Sequence, residues 1–363
     1  MTFDSLIHTF PNTQVGKNAC VLSSRIRLAR NLSTHPFPGW AQKPQRVETY
    51  QQIIETLSSL PCGNKSFMEE LKEFDSLQKQ VLVEQHLMSR ELAARSTGCG
   101  LLVNESKTLS IMINEEDHFR LQSIQPGLSL KKAFRAIDKI DTEISAQLTY
   151  AYSPELGFLT SCPSNVGTGM RASVMLHLPA LVLTDQIKPV LKAVSRLGLA
   201  IRGFYGEGTE SLGHLYQISN QSTLGESEHD IITRIERIVK YVITAEENAR
   251  AKTLQDSPLL MIDKVSRAYG TLKYAYTMTS KEALTLISLL RLGAVIGYFP
   301  NEVLSLCDHL MIKIQPAHLQ LNKGTKLDAE ERDRERALTI AEAIREIPPP
   351  ALPAVSSETV QRD

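Results

Sequence analysis

Leu109-Ser110-Ile111-Met112-Ile113-Asn114-Glu115-Glu116-Asp117-His118-Phe119-Arg120 sets a short apolar run against three consecutive carboxylates, a histidine and an arginine. The run reads as a strand. Neighbouring side chains of a strand leave on opposite faces, so the three acids do not all aim at one ligand. At least one carboxylate is left where a cationic group can sit, with an anion-binding arginine a short step further on. The same residues also suit a polar strand-to-helix turn with a charged cap. Other clusters have to decide.

The pattern around this stretch is mixed. Gln42 to Leu60 and Met68 to Arg95 read as helices separated by Pro61-Cys62-Gly63-Asn64. Strands are expected at Gly100 to Val103, Leu109 to Ile113, Phe158 to Cys162, Leu199 to Tyr205 and His214 to Ser219. Helical pieces are expected at Leu130 to Ile137, Thr168 to Leu178 and Pro189 to Leu197. This is an α+β arrangement around a largely antiparallel sheet. Beyond Gly225 the pattern turns helical, with Ile231, Ile232, Ile235, Ile238, Val239, Val242 and Ile243 forming one stripe of period near 3.6. Further helices are expected at Leu259 to Tyr276, Ser280 to Leu292, Asn301 to Leu310 and Leu327 to Glu346. Pro348-Pro349-Pro350 ends the last of them. The division expected is 1–250, 251–347 and a disordered tail, 348–363.

The 363 residues are 42% hydrophobic and 22% charged, with zero formal net charge, so no global field favours nucleic acid or membrane. Met1 to Lys17 lacks the apolar core of a signal peptide, and Leu284 to Phe299 is interrupted by Arg291 and too short to span a bilayer. Five scattered cysteines argue against a disulfide framework or zinc site and suit a reducing cytoplasm.

Three further clusters carry chemistry. In Ser24-Arg25-Ile26-Arg27-Leu28-Ala29-Arg30, a strand would point Arg25 and Arg27 the same way, and two guanidinium forks suit a polyphosphate. The alternative is a solvated basic edge strand. In Cys162-Pro163-Ser164-Asn165-Val166-Gly167-Thr168-Gly169-Met170-Arg171, a strand enters a small-residue turn and a helix start, whose backbone amides and Arg171 would hold an anion. Cys162 is either a core thiol or a thiolate facing a cationic substrate. Arg202-Gly203-Phe204-Tyr205-Gly206-Glu207-Gly208-Thr209-Glu210 is a glycine-rich loop that would close over a nucleotide, or a long hairpin connection.

Together the clusters resemble the ATP:guanido phosphotransferases, the family of arginine and creatine kinases. Asn114 to Arg120 is similar to that family's Asn-Glu-Glu-Asp-His-Leu-Arg motif except at Phe119, and Cys162 to Ser173 to its Cys-Pro-Thr-Asn turn and following Arg-Ala-Ser helix. The resemblance is closer to the bacterial protein-arginine kinases, through Leu159-Thr160-Ser161-Cys162-Pro163, Leu176-His177-Leu178-Pro179-Ala180-Leu181 and Tyr216-Gln217-Ile218-Ser219-Asn220-Gln221. Tyr205 replaces a phosphate-binding arginine of the metabolic enzymes. The chain begins almost at the arginine strand, without their small helical domain, and adds a helical C-terminal region.

The resemblance implies a phosphagen-kinase-like catalytic domain, its antiparallel sheet flanked by helices, plus an all-helical domain. It implies transfer of the ATP γ-phosphoryl group, with Mg²⁺, to arginine side chains of proteins. A kinase of free arginine or another small guanidino compound and an inactive phosphoarginine-binding adaptor are the alternatives. Glu116 and Glu210 would be catalytic, with Cys162 beside them. Ser24, Arg25, Ile26, Arg27, Leu28, His86, Arg120 and Arg171 would bind the nucleotide. So would Ala172, Ser173, Val174, Met175, Arg202, Gly203, Phe204, Tyr205, Gly206 and Glu207. Arg332-Asp333-Arg334-Glu335-Arg336-Ala337 resembles the branch's phosphoarginine receptor motif, with Arg332, Asp333, Arg336 and Ala337 as its residues. Arg332 and Arg336, four apart on a helix, would grip a phosphate or form a salt-bridged surface. A zinc-binding activator, a Clp protease system and a homodimer are the implied partners.

Overall fold

The computed structural model describes residues 3–8, 19–64, 66–203 and 211–351. Ten strands are described: β1 (Val21–Arg30), β2 (Phe67–Glu70), β3 (Gly100–Val103), β4 (Leu109–Ile113), β5 (Phe119–Pro126), β6 (Tyr152–Ser153), β7 (Gly157–Phe158), β8 (Met170–His177), β9 (Leu199–Gly203) and β10 (Leu215–Asn220). Eight form one sheet in the order β2-β3-β4-β5-β1-β8-β10-β9, and every pairing is antiparallel. The helices of the first part are α1 (Phe3–His8), α2 (Lys43–Ser59), α3 (Ser76–Glu84), α4 (Arg90–Ala93), α5 (Leu130–Ser145), α6 (Pro179–Leu183) and α7 (Ile187–Arg196). Then follow α8 (Glu228–Asp256), α9 (Pro258–Tyr274), α10 (Ser280–Val295), α11 (Glu302–Lys313), α12 (Pro316–Lys323) and α13 (Ala329–Ala343).

The sheet has two unlike faces because side chains alternate along each strand. Ile26 and Leu28 of β1, Leu121 of β5 and Ala172, Val174 and Leu176 of β8 are buried on one face. There they meet Ala133 and Ile137 of α5 and the Ile231–Ile243 stripe of α8 in one apolar core. The opposite face carries Arg25 and Arg27, with Arg27 paired across to Arg171 on β8 and to Gln122 on β5.

Four local expectations change. Thr168 to Leu178 is not a helix: Met170–His177 is a strand, and Met170, Ala172, Val174 and Leu176 are each fully buried, the period of two that a strand between two partners requires. Met68 to Arg95 is not one helix: β2, a short 3-10 turn, α3 and α4 divide it, because Phe67–Glu70 pairs with β3. Nor is β1 an edge strand, since β5 and β8 flank it. Phe158 to Cys162 contributes only β7 and its bridge to Gly167.

The C-terminal helices build a second core around α10, including Leu284, Ile287 and Leu290, and this core reaches Leu215 of β10. The seam between sheet and helices is polar at its centre. The Ser288 hydroxyl lies 2.7 Å from both His177 Nε2 and His214 Nδ1. Arg291 Nη1 reaches His177 Nδ1 at 3.2 Å and donates to the Ala19 carbonyl at 2.7 Å. Among the described residues, no helix is long and apolar enough to cross a membrane.

Candidate active site

The Asn114–His118 stretch is the turn of the β4–β5 hairpin, closed by Asn114 N–H donating to the His118 carbonyl at 3.0 Å. Asn114 takes a positive φ of 55°, a conformation asparagine tolerates better than most residues. Its amide nitrogen donates to the carbonyls of Arg46 and Gly98 at 3.0 and 2.7 Å, which fixes the turn from below.

The three carboxylates then go three ways. Glu115 is buried and ion-paired to Arg120. Asp117 is buried, its Oδ1 accepting from Asn31 Nδ2 at 2.6 Å and from Ser161 N–H at 2.7 Å. Glu116 alone is exposed, and it enters a cavity of about 230 Å³ with Cys162, Arg27, Arg120 and Arg171. The Ser161 hydroxyl donates to the Glu116 carbonyl at 2.8 Å, so Asp117 and Ser161 together bind the acidic turn to the segment that carries Cys162. The Cys162 thiol lies 3.0 Å from the Ser164 hydroxyl.

Electrostatics separate the carboxylate from the cations around it. Partial desolvation within the cavity, then the Asp117 and Glu115 charges, raise the Glu116 pKa above its ordinary value. Burial, then Arg120 and Arg171, lower Arg25 to about 10. Burial and the same neighbours, with Arg25, hold Arg27 well below the ordinary guanidinium value. Arg171 is lowered by burial and then by Arg202 and Arg120. Arg27 Nε is buried without a hydrogen-bond partner. A group of like charges with an orphaned donor is the environment that a polyanion stabilises.

One same-face step along β1, roughly 7 Å, leads from Arg27 to Arg25 and into a second cavity of about 140 Å³. Ser173, Met175 and His86 line it. His86 follows α3 in a turn rather than lying in the helix, with φ of 61°. Burial, Arg25 and His318 lower its pKa to about 4, so it is neutral near pH 7. The first cavity therefore suits phosphates and a cationic group, and the second a base.

The remaining sequence expectations divide. Ser24, Ile26, Ala172 and Val174 turn their side chains to the opposite face; Ser24 Oγ there donates to the Gly127 carbonyl at 2.7 Å. Leu28 contributes to the wall of the first cavity. Within the Cys162–Thr168 turn, the N–H groups of Asn165, Val166, Gly167 and Thr168 donate to the carbonyls of Cys162, Pro163, Phe158 and Thr223 and are not offered to an anion. Arg202 and Gly203 end β9, with Arg202 exposed. Phe204, Tyr205, Gly206, Glu207 and Glu210 lie outside the described residues. In α13, Arg336 does not join Arg332 on an open face. It is buried, donating to the carbonyls of Ile314 and Met278 at 3.2 and 2.8 Å and pairing with Asp333. Arg332 Nη1 donates to the Leu327 carbonyl at 3.1 Å, and Ala337 is buried.

Sequence reasoning missed Asn31, Asp117 and Ser161 as the framework of the acidic turn. The Asp117 side chain lies in the quoted motif, but its partners are 86 and 44 residues away. Among the described residues, no three His, Cys, Asp or Glu side chains come together to hold a metal ion.

Residues 48–249 match the family model of the ATP:guanido phosphotransferase C-terminal catalytic domain, and residues 258–354 match that of the protein-arginine kinase McsB C-terminal domain. The chain is 43% identical over 327 residues to the protein-arginine kinase of Brevibacillus brevis, covering 90% of this chain and 92% of the relative. It is 45% identical over 336 residues to that of Geobacillus stearothermophilus, covering 92% and 93%. Among solved structures, lombricine kinase is similar with a TM-score of 0.58 and 28% identity, over 67% of this chain and 72% of that one. The duplicated taurocyamine kinase of Schistosoma mansoni with bound transition state analog components gives 0.56 and 31%, over 68% of this chain and 35% of that one. The present chain thus spans about a third of that duplicated enzyme.

Proposed function

The chain belongs to the ATP:guanido phosphotransferase family, in its protein-arginine kinase branch, and from that premise we propose how its residues transfer the γ-phosphoryl group of ATP to arginine side chains of proteins. The observation that carries the assignment of roles is the single cavity in which Glu116 and Cys162 face Arg27, Arg120 and Arg171. Protein rather than free arginine as substrate is supported by relatives that carry that name and match 90% or more of this chain, helical region included.

A guanidinium stays protonated up to a pKa of about 12 and is a poor nucleophile in that form. Glu116 accepts hydrogen bonds from it, orients it and takes one N–H proton as the new N–P bond forms. The O–P bond to the departing ADP breaks in the same in-line displacement. The raised pKa of Glu116 brings this base closer to working pH. Arg25, Arg27, Arg120 and Arg171 neutralise the charge spread over the phosphates. Cys162 contacts the substrate guanidinium. Glu210, outside the described residues, is assigned the second carboxylate role by family pattern alone. Mg²⁺ arriving with the nucleotide would be held by phosphate oxygens and water, and supplies charge neutralisation there.

The remaining assignments rest on family analogy. These are a catalytic part to about residue 250 with a helical part beyond it, a homodimer, a cytoplasmic location, a zinc-binding activator and a Clp protease system. A phosphoarginine receptor at Arg332–Ala337 is of the same kind; its phosphate would have to compete with Asp333 for Arg336.

Incubating the purified chain with γ-labelled ATP and either casein or free arginine tests the main reading. Acid-labile label is expected on casein arginines. Label confined to free arginine would overturn the protein-substrate reading.

A further inference from the structure

The base cavity has a wall that the catalytic sheet does not supply. Asp308, Met311 and Ile312 of α11 line it, and their i, i+3, i+4 spacing puts them on one helix face. Met311 and Ile312 add apolar surface suited to a flat heterocycle. Asp308 is the one carboxylate among the described residues lining this cavity.

That carboxylate is held from behind. Its Oδ1 accepts from Arg291 Nε at 2.7 Å, and Arg291 is itself 1% exposed. Arg291 also donates to the Ala19 carbonyl, just before β1, and reaches His177 at the end of β8. Arg291 is therefore a positioning residue, and its anchors locate Asp308. Into and along β1 the order is Ala19, then Leu22, Arg25 and Arg27; along antiparallel β8 it is His177, Met175, Ser173, Arg171. The phosphate-facing arginines stand at one end of both strands and the Arg291–Asp308 pair at the other, several same-face steps away. A nucleotide with its phosphates among the arginines extends its base toward Asp308.

An ionised carboxylate only accepts hydrogen bonds. The exocyclic amine of a 6-aminopurine donates to it, whereas the carbonyl oxygen of a 6-oxopurine meets it as a second acceptor. We propose that Asp308 reads the exocyclic amine of the nucleotide base. Discrimination of ATP from 6-oxopurine nucleotides then resides in the C-terminal helical region, outside the sheet that performs the chemistry. This rests on the kinase reading above. Ribose hydroxyls are donors as well, so the experiment separates base from sugar.

The test is kcat/KM for ATP, ITP and 2′-deoxy-ATP in the unaltered chain and in Asp308→Asn. The amide keeps an acceptor for Arg291 and gains a donor for a 6-carbonyl. The preference for ATP over ITP is expected to fall about tenfold or more, with the ratio of ATP to 2′-deoxy-ATP unchanged. An unchanged ATP-to-ITP ratio, or a change confined to the 2′-deoxy ratio, would overturn the proposal. A second measurement needs no variant: direct binding of ATP and of purine riboside triphosphate, which lacks the 6-amino group, to the unaltered chain. Equal affinity overturns the proposal; affinity for ATP about tenfold higher supports it. Absence of transfer with every nucleotide would count against the kinase reading instead, and the binding ratio would still decide the role of Asp308.

Discussion

Strand β1 carries two kinds of arginine. Arg30, 2% exposed, donates from Nε and Nη2 to Asp141 Oδ2 at 3.0 and 2.8 Å and from Nη1 to the Ala29 and Thr168 carbonyls at 2.9 Å. Its guanidinium carbon lies 3.6 Å from the Phe158 ring centroid. Arg25 and Arg27, on the other face of the strand, have no carboxylate ion pair among the described residues, and the charges acting on them most strongly are other arginines, with Glu115 a lesser opposing one at Arg27. The difference separates scaffold from site. A guanidinium given a carboxylate, carbonyls and a ring stabilises this fold in its own right. A guanidinium set among its own kind, with Arg27 Nε orphaned, is stabilised only by what it binds. Arg291 and Arg336 fall on the scaffold side by the same criterion, while Arg120, paired with Glu115 yet lining the cavity, combines the two.

Replacing one member of each class tests this division. Arg30→Met strands the Asp141 carboxylate and should cost about 3–5 kcal/mol of folding stability, read as a lowered denaturant midpoint, with activity per folded molecule retained. Arg27→Ala should do the reverse. Transfer falls by about a hundred- to a thousandfold, while the thermal midpoint holds or rises because like-charge crowding is relieved. If Arg27→Ala destabilised the fold as much as Arg30→Met, the division would not hold.

The pH dependence of stability is set by histidines. His86, His118 and His214 are each lowered by burial to about 4, and His177 is lowered too. The unfolded chain therefore binds more protons than the folded one between about pH 4 and 6.5. Stability is full above that window and declines as pH falls through it, by about 1.4 kcal/mol per pH unit for each fully titrating histidine. The raised carboxylates Glu116 and Glu246 act in the opposite sense. Urea midpoints at pH 7.5, 6 and 5 should fall in that order; a flat profile would show that these histidines are not buried neutral.

The alternation of β1 was legible from residues 25–28 alone because charged and apolar side chains take turns there. Its central place was not, since that depends on β5 and β8. The β8 error came from Thr168 and Gly169 standing where a helix start was expected, with Ala172, Met175 and Leu176 all tolerant of helix. Pairing on both sides overrode that preference. The Glu- and Leu-rich stretch after Phe67 likewise read as helix until β3 claimed its first residues. Glu116, Cys162 and the arginines were found through family pattern as much as through chemistry. The sorting of Glu115, Glu116 and Asp117 followed the expectation that three adjacent acids cannot share a ligand. Asp308 had no local signal, because only the packing of α11 against the sheet gives it a role.

The Ser288 hydroxyl at the seam has a consequence for where hydrogens sit. A guanidinium cannot accept, so His177 must meet Arg291 with a bare Nδ1 and carry its hydrogen on Nε2. That hydrogen points to Ser288 Oγ, which also lies against His214 Nδ1. One unalterable donor thus dictates the tautomer of a buried imidazole and, through it, one hydrogen bond of a serine on the donor's own helix. The junction is wired with a polarity, running from helix to strand and back to the helix.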